Sequence, residues 1–195
     1  MKDWNRRDWM KTAALGAVGA GALGGAVTGL RADTHGKNFA EDFTPDWELK
    51  MANAVEMAEA MPADKWTFKP TEEMRSFGEL MVHIAESNYF FAAQAAGTEV
   101  PEDAKYKGEK TKEAVVAYMK KSFESAAKSV AMVEDARAEE VVDLFGGIRT
   151  SRKKICEFMR DHVTHHLGYS VPYLRLSGIT EIPAYRFTGG DQSPR

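Results

Sequence analysis

Arg160-Asp161-His162-Val163-Thr164-His165-His166-Leu167-Gly168-Tyr169 sets two histidines four residues apart in what reads as a long amphipathic helix. At ~100° and ~1.5 Å per residue, positions i and i+4 lie ~40° apart around the axis and one turn apart along it. Two imidazoles so placed can share one metal ion. The apolar stripe of this helix is read through Ile155, Phe158, Met159, Tyr169, Tyr173 and Leu176, with His162 and His166 in its centre and therefore pointing into a core. Buried ring nitrogens are costly without hydrogen-bond partners or a metal.

The helix opens near Thr150 or Ser151 and ends at Gly178, and Pro172, which removes one hydrogen bond, predicts a kink inside it. Three more helices precede it. Thr44-Pro45-Asp46 supplies a cap, a proline at the first helical position and an acidic first turn, for a helix running to about Met61. Ser76-Phe77-Gly78-Glu79 has the capping-box spacing and opens a second helix striped with Phe77, Leu80, Met81, Ile84, Asn88 and Phe91, stopping at Gly97. Thr111 caps a third, with Val115, Met119, Ala126, Val130 and Val133 on one face. The strand-like fragment is Val141 to Phe145, before Gly146-Gly147. These readings predict an all-α fold, a four-helix bundle. The thirteen-residue connector from Thr98 to Lys110 reaches ~43 Å when extended, against ~37 Å for a 25-residue helix, so it allows two successive helices to run parallel.

The chain has 195 residues, 44% apolar and 28% charged, enough for one domain and an additional segment. That segment is N-terminal. Asn5-Arg6-Arg7-Asp8-Trp9-Met10-Lys11 resembles the twin-arginine export motif and precedes an uncharged run from Thr12 to Leu30. Six of those nineteen residues are glycine and three are leucine, so the run is a poor membrane anchor and reads as a signal, cut near Ala32. Residues 1–32 are thus assigned to a signal peptide, 33–42 to a polar linker holding a solvated His35, 43–185 to the bundle and 186–195 to a tail. The motif implies a periplasmic or otherwise exported protein that folds, and loads any metal, before export.

The signal segment carries five cations against two anions, which turns the overall charge of −3 into −6 for the remainder. Such an acidic domain has no electrostatic footprint for nucleic acid. Cys156 is the single cysteine, so there is no intrachain disulfide, no cysteine-based zinc motif and no C-x-x-C-H haem attachment. It reads as a small buried hydrophobe. Val163 follows His162 where a zincin would have glutamate, so the general base of that class of metalloprotease is missing.

His83 sits on the flank of the second helix's stripe, where a neighbouring helix is within reach. Three imidazoles from two helices would leave further metal positions to water or substrate, the arrangement of a catalytic rather than a structural ion. The bland alternative is a hydrogen-bonded core histidine beside a packed pair, and spacing alone does not separate the two. All-imidazole ligation suits Zn, Ni, Cu or Fe alike.

Taken together, Ser76-Phe-Gly-Glu-Leu-Met-Val-His83-Ile84, the H-x-x-H-H-x-G pattern from His162 to Gly168, Tyr173-Leu-Arg-Leu-Ser-Gly178 and Ile182-Pro-Ala-Tyr185 resemble the DinB family, from about Phe43 to Tyr185. The resemblance implies a bundle of up-down-down-up topology and a metal held by His83, His162 and His166. It also implies thiol-transfer or thiol-dependent isomerase chemistry on a small molecule, with a low-molecular-weight thiol as co-substrate. Export makes a hydrolytic reaction an equal expectation, because cytoplasmic thiols are scarce outside. A non-catalytic metal- or ligand-binding bundle is the alternative, and a homodimer is compatible with either. His165 is left out of the ligand set, as a residue supporting the site or facing solvent. Where the family often has His-His-Arg-Gly-Gln, this chain has Leu167 and Tyr169 in place of the Arg and Gln. Tyr169 and Tyr173 extend the row beyond His166, as packed residues whose hydroxyls are satisfied or turned to the pocket.

Overall fold

Phe39, Phe43 and Trp47 stand four residues apart, and in the computed structural model, which describes residues 38–188, they form a row of rings at 5.8 and 5.6 Å that ends on Phe123 at 4.8 Å. This row starts helix α1 (Phe39–Ala60) six residues before the Pro45 start read from the sequence. Asn38 is the cap, accepting from the Glu41 amide at 2.9 Å. Thr44 instead donates back to the Ala40 carbonyl at 2.7 Å, and Pro45 lies inside the helix. An internal proline costs ~3 kcal/mol. Burying Phe43 and Trp47, each worth ~1.5–3 kcal/mol, offsets that. The linker assigned to 33–42 therefore gives up its last four residues to α1. The twin-arginine motif, the Gly-rich run, the cut near Ala32, His35 and residues 189–195 lie outside the described residues.

Helix α2 (Phe77–Ala96) opens on the expected capping box: Glu79 N donates to Ser76 Oγ at 3.2 Å and Ser76 N to the Glu79 carboxylate at 2.8 Å. It ends at Gly97, whose φ of 75° lies in the left-handed region that glycine tolerates. The connector that follows holds a single 3-10 turn, Glu102–Ala104. Thr111 caps α3 (Lys112–Ala131), and one turn of helix, α4 (Asp135–Ala138), leads into the fragment expected as a strand. Val141–Asp143 (β1) pairs antiparallel with Arg149–Ser151 (β2), turning through Gly146 and Gly147 at φ of 58° and 79°. Ser151 then caps α5 (Arg152–Leu176), the fourth long helix, which continues through Pro172.

Helices α1 and α2 each pack against both α3 and α5, which makes the protein an all-α bundle. Trp47, Phe77, Met81, Ile84, Met119, Phe123, Met159 and Leu167 fill its centre, and the Trp47 indole donates to the Phe123 carbonyl at 3.0 Å. Cys156 is fully buried, and burial pushes its thiol up to about 12, so it packs rather than reacts. None of the described helices is long and apolar enough to cross a membrane. Residues beyond α5 strap back over the bundle. Tyr185 joins Lys50 of α1 to Thr164 of α5, and Arg186 exchanges hydrogen bonds with Asn53 and pairs with Glu56 at 2.6 Å.

The stripe of α5 is not where the sequence reading put it. Its buried residues are Ile155, Cys156, Met159, Val163, Leu167, Ser170, Tyr173 and Leu174, while Phe158, Tyr169 and Leu176 are 47%, 48% and 63% exposed. At 100° per residue this turns the inward face by roughly 60°. His162 and His166 accordingly lie half-buried on its flank. The reason is packing: small Ser170 and branched Val163 and Leu167 let the helix approach its neighbours, and the larger rings are left at the rim.

Candidate metal centre

The flank of α5 faces α2, and there His83 meets the pair. Its ring centroid is 5.1 Å from that of His162 and 4.7 Å from that of His166, and the pair's own centroids are 4.3 Å apart. One nitrogen from each of the three rings lies within 4.8 Å of the others. Among the described residues this is the one such group of His, Cys, Asp or Glu, and it contains the three histidines singled out from the sequence. The Nε2 atoms of His162 and His166 are 3.0 Å apart.

A hydrogen bond between neutral rings and two donors to a common ion both fit that separation, since two nitrogens ~2.1 Å from one ion at ~90° stand ~3.0 Å apart. The rest of each ring distinguishes them in part. Both Nδ1 atoms are buried and have no hydrogen-bond partner among the described residues, which leave the pair under-satisfied. The carboxylate or carbonyl that commonly steers a ligating imidazole is missing at both. Aromatic packing orients the rings instead: Phe91 at 5.6 Å and Phe158 at 6.2 Å from His162, and Tyr169 at 5.9 Å from His166.

Burial is the main cause that lowers the basicity of all three rings. His162 is held down to about 4 and His166 to about 3, each further depressed by the neighbouring histidines and Arg75. His83 is lowered too, by burial and then by Arg75, with Glu86 opposing. Three rings that stay neutral at pH 7 present lone pairs rather than protons, so the donor set fits a divalent transition ion.

His165 faces solvent, 5.1 Å from His166 and 4.7 Å from Tyr169, outside the group. Tyr169 is an exposed rim residue, contrary to the packed position expected for it. Tyr173 is buried against Phe68 and Phe77, and its hydroxyl donates to the Arg75 carbonyl at 2.8 Å, so it is packed and satisfied as expected. Two cavities meet at His83. A cleft of about 710 Å³ is lined by His83, Arg75, Glu79, Glu86 and Trp66 among others. A groove of about 430 Å³ is lined by His83, Glu86, Phe90, Phe91 and Val100. His162 and His166 line neither, so His83 is the member of the group in reach of both.

Sequence reasoning missed Arg75, which carries no spacing signal, and Arg152, which does. A cation at the first position of α5 opposes the helix dipole and calls for a partner elsewhere.

Comparison with known proteins agrees with this architecture. The DinB superfamily profile matches residues 46–170. The uncharacterized protein YjoA of Bacillus subtilis (strain 168) is 30% identical over 137 residues, which span 67% of this chain and 86% of YjoA. The crystal structure of the DinB-like protein YjoA superposes with a TM-score of 0.63 at 21% identity, covering 75% of this chain and 99% of that one. A DinB-like protein from Bacillus cereus ATCC 10987 gives 0.64 at 16% identity, covering 74% and 95%. At those identities the two structures attest the shared fold, while the profile match, over well more than half the chain, attests descent: the chain belongs to the DinB superfamily.

Proposed function

We propose that this protein is an exported, metal-dependent enzyme acting on a small molecule, with His83, His162 and His166 holding one divalent transition ion. The observation that carries the reading is the convergence of three neutral, half-buried imidazoles from α2 and α5, one of which opens onto a cleft. A zinc, nickel or iron ion held there would supply Lewis acidity toward a thiol or a water. Phe91 and Phe158 cover the His162 ring and limit water on that side. An ion held by these three ligands would keep a coordination position for water or a small molecule, as a catalytic site requires. Thiol transfer and hydrolysis are the two reaction classes this supports.

A non-catalytic metal-binding bundle is favoured by one feature. Glu86, the carboxylate that shares both cavities with His83, is tied to Lys105 at 3.0 Å and to the Tyr106 amide at 3.0 Å, and so is not free as a general base. Metal analysis of the purified chain should find one ion per chain, and the loaded form should turn over either thiol-transfer or ester substrates. Metal at one equivalent with no turnover in either screen favours the non-catalytic reading; no bound metal under any loading removes both.

Export belongs to the same proposal and rests on Arg6 and Arg7 ahead of the Gly-rich run. Changing both to lysine keeps the charge and removes the paired guanidinium signal, so an uncleaved, folded precursor should accumulate in the cytoplasm. A variant exported as well as the parent would point to the general secretory route.

A further inference from the structure

The cleft and the groove on either side of His83 differ in chemistry. On the cleft side Arg75 stands at the wall, exposed, with no hydrogen bond or ion pair to its guanidinium among the described residues. Its backbone is nevertheless fixed. The Arg75 carbonyl accepts from Tyr173, seven residues beyond His166 on α5, and the next residue is the Ser76 cap of α2, the helix that carries His83. The residue is thus pinned between the two helices that build the three-histidine group.

The carboxylates around it are largely committed elsewhere: Glu79 closes the capping box, and Glu86 is held by Lys105 and the Tyr106 amide. Glu72 and Glu73 are exposed on the same wall and are balanced in sign by Lys69 and Lys110. On the groove side, Phe90, Phe91, Val100 and Pro101 give an apolar lining. Phe145 extends it, 6.1 Å from Phe90 and 48% exposed.

We propose that Arg75 is an anion anchor and that the ligand of this site is a small carboxylate bearing an apolar group, its charged end in the cleft and its apolar end in the groove. A guanidinium fork with fixed backbone and no internal partner is matched to a carboxylate, which it can bind through two parallel hydrogen bonds. Arg75 and His83 line the same cleft, which places the guanidinium beside the group. The inference rests on reading this cleft as the substrate site, but not on the ion.

The test uses 3-phenylpropionate and its neutral analogue 3-phenylpropanamide, with binding followed by ligand-observed NMR on the full chain, first chelator-treated and then with one equivalent of zinc. The chelated parent should bind the carboxylate about tenfold more tightly than the amide. Arg75→Gln should bring the two to equality without moving the melting temperature, since the side chain is exposed, and Phe90→Ala should weaken both probes alike. Equal binding of the two probes by the chelated parent, or a carboxylate preference that survives in Arg75→Gln, overturns the proposal. A preference that appears only with zinc and survives in Arg75→Gln overturns it too, by assigning the carboxylate to the ion. If zinc does not bind at all and Arg75→Gln still abolishes the preference, the metal reading falls and the anion anchor stands.

Discussion

Zinc at about one hundred times its dissociation constant is expected to raise the melting temperature by about 5–11 °C, and chelation to remove that gain. An ion that binds only the folded state stabilises by mass action, ~2.7 kcal/mol at that excess, and ~1 kcal/mol moves the midpoint of a chain this size by ~2–4 °C. His166→Ala should abolish both the gain and the bound metal. His166 is the ring closest to both others, 4.3 Å from His162 and 4.7 Å from His83, so its loss leaves two donors from different helices. Alanine removes a buried Nδ1 that has no hydrogen-bond partner among the described residues, which offsets part of the packing lost with the ring. Its metal-free stability should therefore fall little. His165→Ala is the control: the residue is exposed and outside the group, and the zinc gain should persist in full. An unchanged zinc shift in His166→Ala, or a lost one in His165→Ala, rejects the assignment of the ligands.

Local signals were the legible ones. The Ser76 box, the Thr111 and Ser151 caps and the left-handed Gly97 each involve partners within a few residues, so sequence carries the whole interaction. The spacing of His162 and His166 is equally local; the flank of α2 made His83 a candidate, and the family resemblance joined it to the pair. The rotation of α5 was not legible, because hydrophobicity ranks Phe158 and Tyr169 as core residues while packing favours the smaller Val163, Leu167 and Ser170. The early start of α1 is held at Phe39, whose amide donates to Asp135, ninety-six residues away, at 2.8 Å. Arg75 is defined by the hydroxyl of Tyr173, ninety-eight residues on. Long-range pairing of this kind is what a one-dimensional pattern lacks.

Replacing Arg152 by alanine should destabilise the fold by about 2–4 kcal/mol and lower the melting temperature by about 5–15 °C. The residue is 6% exposed at the first position of α5, where the helix dipole disfavours a cation. What retains it is the fork: Nε and Nη2 donate to the Glu140 carboxylate at 3.0 and 3.3 Å, and Nη1 to the Ala95 carbonyl at 2.8 Å. Alanine strands a buried carbonyl in the last turn of α2, while Glu140, whose side chain is 46% exposed, regains water, which is why the cost falls below that of a fully buried pair. Gly97 makes the approach possible, since a Cβ there would stand 2.9 Å from Nη1. The clamp joins the end of the helix carrying His83 to the start of the helix carrying His162 and His166. Zinc should therefore bind more weakly to Arg152→Ala although every ligand is intact. Arg152→Lys restores the charge but cannot reach the carbonyl and both carboxylate oxygens at once, so it should recover less than half of the stability. Denaturant unfolding within about 0.5 kcal/mol of the parent for Arg152→Ala would show that the fork is surface decoration, and unaltered zinc affinity in a destabilised variant would separate the clamp from the site.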